Sequence, residues 1–336
     1  MRILIGLLGS LITVLSLSSL NAQTLEPDGG NIRAGTLPVS WDSGGPKCME
    51  LPEWQVHEYN PGLYIMRQSG CTDYEQPFVF LLFGSTRALL LDTGSRRGNI
   101  APELKLIVHR WLQRNHRASV PLVLVHSHAH SDHTAGDAEL QALNDPAIPI
   151  TYVAPTVAAN KAFYGIANWP QDPGSVDLGN RVVDALAIPG HEPSAVALYD
   201  RQTAILFTGD NVYPGRLFIQ DLAEYEKSNR RLLEFTKDKP VAHILGNHVG
   251  RTRTPYIGYP MGTIYQPDAH ELQLSRGVLL EIEEGLQGMH GKPQRIYYRD
   301  FTLWPVSDPA VLKQMDATIE QTQKEQLEHM WDQNQH

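Results

Sequence analysis

The chain has 336 residues and a formal net charge of −9, from 37 acidic and 28 basic side chains. That length accommodates one large α/β domain or two smaller ones with a sizeable core. An acidic chain without basic runs argues against nucleic acid as a partner.

Met1 and Arg2 precede an apolar, Ser-rich run from Ile3 to Leu20, and Asn21-Ala22-Gln23 offers a small residue for cleavage after Ala22. This is the pattern of a secretory signal peptide over residues 1–22. The Ser, Thr and Gly residues within the run lower its hydrophobicity below that of a good membrane span. The expected product is therefore secreted or periplasmic, without a stable membrane anchor. Cys48 and Cys71 are the two cysteines, and both precede the histidine-rich segment described below. In an exported chain they read either as one disulfide closing a loop around the first strands or as two separate buried thiols.

Residues 23–55 are rich in Pro, Gly and Asp and read as an irregular arm, with the main domain over 56–336 and order expected from about Gly62. GLYIMRQ, FVFLLFG and RALLLDTG give three strand-like runs, separated by Gly70 and the Gly84-Ser85 turn. In ELKLIVHRWLQRNH, Leu104, Ile107, Val108, Trp111 and Leu112 recur at helical spacing, which predicts a core-facing helix. HTAGDAELQAL reads as a further helix, ITYVA as a short strand, and 155–178 as an irregular loop with Phe163, Tyr164 and Trp169.

The second half echoes the first. AVALYDRQTAILFTGD repeats the plan of FVFLLFGSTRALLLDTG: strand, short turn, strand, then Asp and Gly. Two such units followed by helical patterns predict an α/β protein of αββα sandwich type, with two sheets packed face to face and helices outside. AEYEKSNRRLLEF is the expected helix after the second pair, and VAHILG the next strand. From about 251 onward the pattern loosens into a C-terminal extension, with a loop around RTRTPYIGYPMGTIYQP and helices near Gly277–Leu286 and Pro309–Trp331.

Four histidines and an aspartate lie in LVLVHSHAHSDHTAG, Leu122 to Gly136, directly after an apolar β-branched run. Residues two apart on an extended backbone point the same way, so His128 and His130 can reach one cation, with Asp132 and His133 on the turn beyond. His126 precedes His128 by two, but only the His128/His130 register gives His-x-His-x-Asp-His. His126 is thus expected to pack, or to hold a neighbour by a hydrogen bond. So dense a polar cluster at a strand end costs free energy unless its groups are paired, and a metal ion pairs them. Further ligands are expected at loop ends beside the same sheet edge: His191 in IPGHEPSA, Asp210 ending TAILFTGD, and His248 in ILGNHVG. Each follows a strand and is flanked by Gly, where backbone can approach a site closely.

In these motifs the chain resembles the metallo-β-lactamase-fold superfamily of metallohydrolases, over about Gly62 to Gly250. LLLDTG, HSHAHSDHTAG, PGHEPSA, FTGD and GNH stand in the superfamily's order. The resemblance implies one zinc on His128, His130 and His191 and a second on Asp132, His133 and His248, with Asp210 bridging and Asp92 structural. Imidazole and carboxylate ligands also suit iron or manganese. It further implies a binuclear hydrolase that uses a metal-bound hydroxide on a small-molecule ester, lactone or amide, with Asp132 orienting the hydroxide or relaying its proton. Tyr213, three residues after Asp210, has a spacing similar to that of acyl-homoserine lactonases, where a tyrosine stabilises the developing oxyanion. The alternatives are a β-lactam hydrolase, from which the bridging Asp210 departs, and a mononuclear-iron oxidoreductase similar to persulfide dioxygenases.

Overall fold

The computed structural model describes residues 32–42, 48, 51–96, 98–306 and 308–333. The expected signal peptide and its cleavage point lie outside the described residues. In chain order the first half holds strands β1 (Trp54–Asn60), β2 (Leu63–Gln68), β3 (Phe78–Phe83) and β4 (Ala88–Leu91), then helix α1 (Ala101–Arg114) and β5 (Leu122–Val125). Helices α2 (Ser131–Thr134) and α3 (Asp137–Gln141), strand β6 (Ile150–Tyr152) and helix α4 (Val157–Tyr164) follow. The second half holds β7 (Gly174–Asp177), β8 (Val182–Ala187), β9 (Val196–Asp200), β10 (Ile205–Phe207), β11 (Arg216–Ile219), α5 (Leu222–Thr236) and β12 (His243–Leu245). It closes with β13 (Gln273–Leu274), α6 (Gly277–Gly288), β14 (Ile296–Tyr297), β15 (Thr302–Pro305) and α7 (Pro309–Gln333).

One sheet is ordered β1-β2-β3-β4-β5-β6, and a second β13-β12-β10-β9-β8-β7. Strand alternation explains how they stack. Phe78, Phe80 and Leu82 point into a core shared with Val183, Val196, Leu198, Ile205 and Phe207 of the second sheet, and Phe80 meets Phe207 at 4.7 Å between ring centroids. Val79, Leu81 and Phe83 point the other way, under Leu104, Ile107, Val108 and Trp111 of α1. The outer face of the second sheet, with Ala197, Tyr199 and Leu206, is covered by Leu232 of α5 and Leu279 and Ile282 of α6. The result is the expected αββα sandwich. The interior strands are mostly apolar on both faces because both faces are covered, and truncating a residue such as Phe80 to Ala would cost about 3–5 kcal/mol.

Several sequence expectations are corrected. Order begins well before Gly62: β1 is a half-polar strand paired to β2, and residues 32–42 of the arm, irregular as expected, are tied to the fold by Arg33 N donating to Gln202 O (2.8 Å) and Thr36 N to Tyr59 O (3.0 Å). Residues 155–178 are not an unbroken loop. They contain α4, whose Thr156 cap accepts from Ala159 N at 3.2 Å, and β7. The helix expected over HTAGDAELQAL is split at Gly136, where a Cβ would stand 2.7 Å from Thr93 O. The region after 251 is built into the fold, because β15 pairs in parallel with β11 and antiparallel with β14 to form a third sheet. Cys48 and Cys71 form a disulfide, with Cα atoms 5.3 Å apart.

Candidate metal centre

Five strands end on one edge of the sandwich. β4 and β5 are parallel, as are β10 and β12, and β8 shares the direction of β10 because both are antiparallel to β9. The segments that follow these strands carry Asp92, His126 to His130, His191, Asp210 and His248. Gly209 makes the turn into Asp210 at φ +53, and a Cβ there would come within 2.9 Å of Ser127 Cβ.

Asp92 lies beneath the cluster, buried, with φ +70, a backbone region that non-glycine residues seldom adopt. Its carboxylate accepts from Ser127 N (2.7 Å), Ser127 Oγ (2.8 Å) and Asn247 Nδ2 (2.7 Å), and its Oδ2 lies 3.0 Å from His133 Nδ1. One carboxylate thus ties the ends of β4, β5 and β12 together.

The remaining anchors fix which nitrogen of each imidazole faces inward. His191 Nδ1 meets Phe218 O at 2.8 Å and His248 Nδ1 meets Glu75 O at 2.8 Å. A carbonyl can only accept, so both Nδ1 atoms carry the proton. His128 Nδ1 lies 3.0 Å from Ser127 Oγ, whose own proton is committed to Asp92. His128, His133, His191 and His248 are therefore turned with Nε2 toward the site, each oriented by a partner on its far side, as metal-ligating imidazoles are.

Those inward nitrogens converge. His130 Nδ1 lies 2.9 Å from His128 Nε2 and 3.1 Å from His191 Nε2. In a second group, His133 Nε2 is 3.3 Å from His248 Nε2, and Asp132 Oδ2 is 3.2 and 3.3 Å from the same two nitrogens. Asp210 joins the groups: Oδ1 is 3.4 Å from His133 Nε2 and 3.3 Å from His248 Nε2, while Oδ2 is 3.7 Å from His191 Nε2. The ligand atoms of His128, His130 and His191 lie within 4.8 Å of one another, as do those of Asp132, His133, Asp210 and His248.

Lone pairs aimed at a common point repel unless a cation stands between them. Asp210 Oδ1 is buried and accepts no hydrogen bond from the described residues. The protonation tendencies express the same demand. Burial would raise Asp132 and Asp210, yet His133 and His248 hold both carboxyls well below the usual range. Burial would lower His133 and His248, yet the carboxylates around them push both well upward. His128 and His191, next to fewer carboxylates, are pulled down by burial. The cluster draws positive charge inward, and its nitrogen and carboxylate donors fit divalent metal ions.

All seven residues expected as ligands are thus gathered at one edge, in the two groups that the resemblance implied. His126 stands apart, buried, with Nε2 2.8 Å from Asp137 Oδ1. Tyr213 is beside the cluster, its ring packed edge-on to His248 at 5.6 Å. Its hydroxyl proton, however, goes to Arg216 O, so the expected donation to an oxyanion is not the contact it makes. Sequence reasoning missed Glu75, whose carbonyl orients His248 and whose carboxyl is pushed up to about 7, by burial first and then by Asp132. It missed Ser127 and Asn247 as well. Only their positions within the histidine motifs could have marked them.

Comparison with known proteins gives a consistent family. The model described as "Metallo-beta-lactamase superfamily" matches residues 72–284. Among curated relatives, "Acyl-coenzyme A thioesterase MBLAC2" of Bos taurus is 24% identical over 231 residues, 60% of this chain and 83% of that protein. The same-named protein of Homo sapiens is 25% identical over 232 residues, again 60% and 83%. "Thioesterase pkgB" of Emericella nidulans is 33% identical over 181 residues, 51% of this chain and 44% of that protein. Among solved structures, a "Metallo-beta-lactamase from Pontibacter korlensis" matches with TM-score 0.46 and 17% identity, covering 70% of this chain and 99% of that one.

Proposed function

This chain belongs to the metallo-beta-lactamase superfamily and is a metal-dependent hydrolase; we propose that it is an exported binuclear zinc enzyme that hydrolyses a small acyl thioester. The observation that carries this reading is the pair of convergent donor groups joined by Asp210. The choice of thioester, rather than the oxygen ester, lactone or amide that the sequence equally allows, is supported by the named activities of the curated relatives.

His128, His130 and His191 would hold one ion, Asp132, His133 and His248 the other, with Asp210 between them. Bound there, the ions supply positive charge that acidifies water and polarises an acyl oxygen. Asp132, with 19% of its side chain exposed, is the cluster carboxylate most open to the cleft. It would orient the attacking water and relay its proton to solvent as the water oxygen bonds to the acyl carbon and the C–S bond breaks. The thiolate departs unprotonated, because a thiol of pKa about 8.5 is a good leaving group near neutral pH. Tyr213 acts through His248, bracing the ring by contact.

Export rests on the leader-like composition of residues 1–22 and on the Cys48–Cys71 disulfide, which suits an oxidising compartment. Among the described residues no helix is long and apolar enough to cross a membrane.

The test is a substrate panel on the metal-loaded chain. An acyl thioester should be turned over with kcat/KM at least tenfold above matched oxygen esters, lactones and β-lactams. A fully loaded protein that prefers one of the others loses the thioester assignment. A single iron with oxygen consumption favours the dioxygenase-like alternative. N-terminal sequencing of protein from its native host should begin at or near Gln23, and an intact Met1 would end the export proposal.

A further inference from the structure

The third sheet presents a face that the hydrolytic site does not use. In the pairing of β11 with β15, Arg216 lies opposite Thr302 and Phe218 opposite Trp304, and on β14 Tyr297 lies opposite Thr302. Register therefore puts Arg216, Phe218, Trp304 and Tyr297 on one face, while Leu217, Ile219 and Leu303 point into the core. That face is covered only at its Thr302 end, where Arg251 donates to Thr302 Oγ1 and Arg216 to Tyr259 O; Phe218 and Trp304 are half-buried and Tyr297 is 59% exposed.

Two guanidinium groups share its tryptophan. Arg295 Cζ lies 3.7 Å from the centre of a Trp304 ring and Arg216 Cζ 5.7 Å from it. Arg216 is tied down, donating to Tyr259 O. Arg295 is exposed and makes no hydrogen bond or ion pair among the described residues, so stacking is what holds it. A guanidinium held over an indole keeps its N–H fork free for a phosphate. Two like charges converging on one ring, in a chain of net charge −9, form a local site for an anion.

The face adjoins the metal centre through β11 itself. The Phe218 carbonyl orients His191, and the Arg216 carbonyl receives the Tyr213 hydroxyl. Arg216 also feels the charge of Glu75, the residue that orients His248. β11 runs behind His191, so a ligand held at Arg295 reaches the inward side of the cluster only through a long flexible arm, as the pantetheine arm of coenzyme A is.

We propose that this arginine–aromatic face binds the phosphorylated nucleotide end of a coenzyme A thioester whose acyl end enters the metal centre. The inference rests on the thioesterase reading for its choice of ligand. It adds what a bare metal site lacks, a means of distinguishing a nucleotide-bearing thioester from a short one. Arg295 and Trp304 supply charge and a flat surface, and Tyr297 offers an exposed ring on which adenine can stack.

The test uses Arg295→Gln, an exposed substitution that leaves the core and the metal ligands untouched, in the full metal-loaded chain. Calorimetric titration with desulfo-coenzyme A, which has no thiol to coordinate a metal, should show saturable binding that weakens about tenfold or more in R295Q. In turnover, R295Q should raise KM for an acyl-coenzyme A by a similar factor and leave kcat unchanged. The same acyl group on pantetheine should be hydrolysed equally by both proteins. Absence of saturable binding, or equal affinity in the two proteins, overturns the inference even if thioesters are hydrolysed. Arg295-dependent binding without thioester hydrolysis supports it and removes the thioesterase reading instead.

Discussion

The sandwich buries charge at both ends, and the two ends treat it differently. At the end away from the strand C-termini, Arg181 and Asp200 are wholly buried. Arg181 donates from Nε to Asp200 Oδ1 (3.0 Å), from Nη2 to Asp200 Oδ2 (2.7 Å) and from Nη1 to Phe83 O (3.1 Å) and Gly62 O. Asp200 also accepts from Gln202 N, Thr203 N and Thr203 Oγ1. Every strong donor and acceptor finds a partner within the chain, and the cluster locks the first sheet to the second. At the other end Asp210 Oδ1 accepts nothing from the described residues and imidazole nitrogens face one another at 2.9–3.3 Å. A closed charge cluster serves structure. An open one, less deeply buried but as carefully anchored from behind, is made for something the chain itself does not supply.

The contrast predicts opposite consequences for breaking each end. Arg181→Met leaves Asp200 buried without its cation and should cost about 3–5 kcal/mol, seen as a lower urea midpoint, while metal content and turnover per folded molecule stay near wild type. Loss of metal at unchanged stability would break the comparison. Asp210→Asn should do the reverse. It removes the carboxylate shared by the two groups and should lower occupancy of both ions and turnover by ~10²-fold or more, with His130→Ala similar, since the attacking water depends on the bound ions. A variant with both ions retained and turnover intact would show that Asp210 does not bridge.

Much of this division was legible in the residues. The motifs around His128, His191, Asp210 and His248 could be found because each ends an apolar run, and strand ends on one edge are where distant residues meet. The strands themselves showed as apolar runs, covered on both faces. β1 did not, because WQVHEYN is half polar. β11 and β15 did not, because their parallel pairing joins segments about ninety residues apart and neither carries a long apolar run. The Arg181–Asp200 pair was equally hidden: an Arg opening one strand and an Asp closing another look like surface charges until register brings them together. For Tyr213, spacing placed the ring near the site but could not show that Arg216 O takes its proton.

Smaller effects sharpen the same picture. Asn247→Ala removes a donor to both Asp92 and Phe78 O, at 2.7 Å each. By loosening the anchor behind His133 it should weaken metal affinity about 10–100-fold, measured by competition with a chelator. An unchanged affinity would mean that Ser127 alone orients Asp92. Tyr213→Phe keeps the ring on His248 and loses one hydrogen bond, so about 0.5–1.5 kcal/mol of stability should go and turnover should stay within a few-fold of wild type. A fall of ~10²-fold or more at normal metal content would restore the oxyanion role.

The most direct test of the open end is the mass of the folded chain under non-denaturing conditions, read together with elemental analysis. The binuclear zinc site proposed above should hold close to two metal ions per chain, predominantly zinc, with both lost and hydrolysis abolished on chelation and both restored on adding zinc back. Full hydrolytic activity in a chelator-stripped chain free of metal would contradict it.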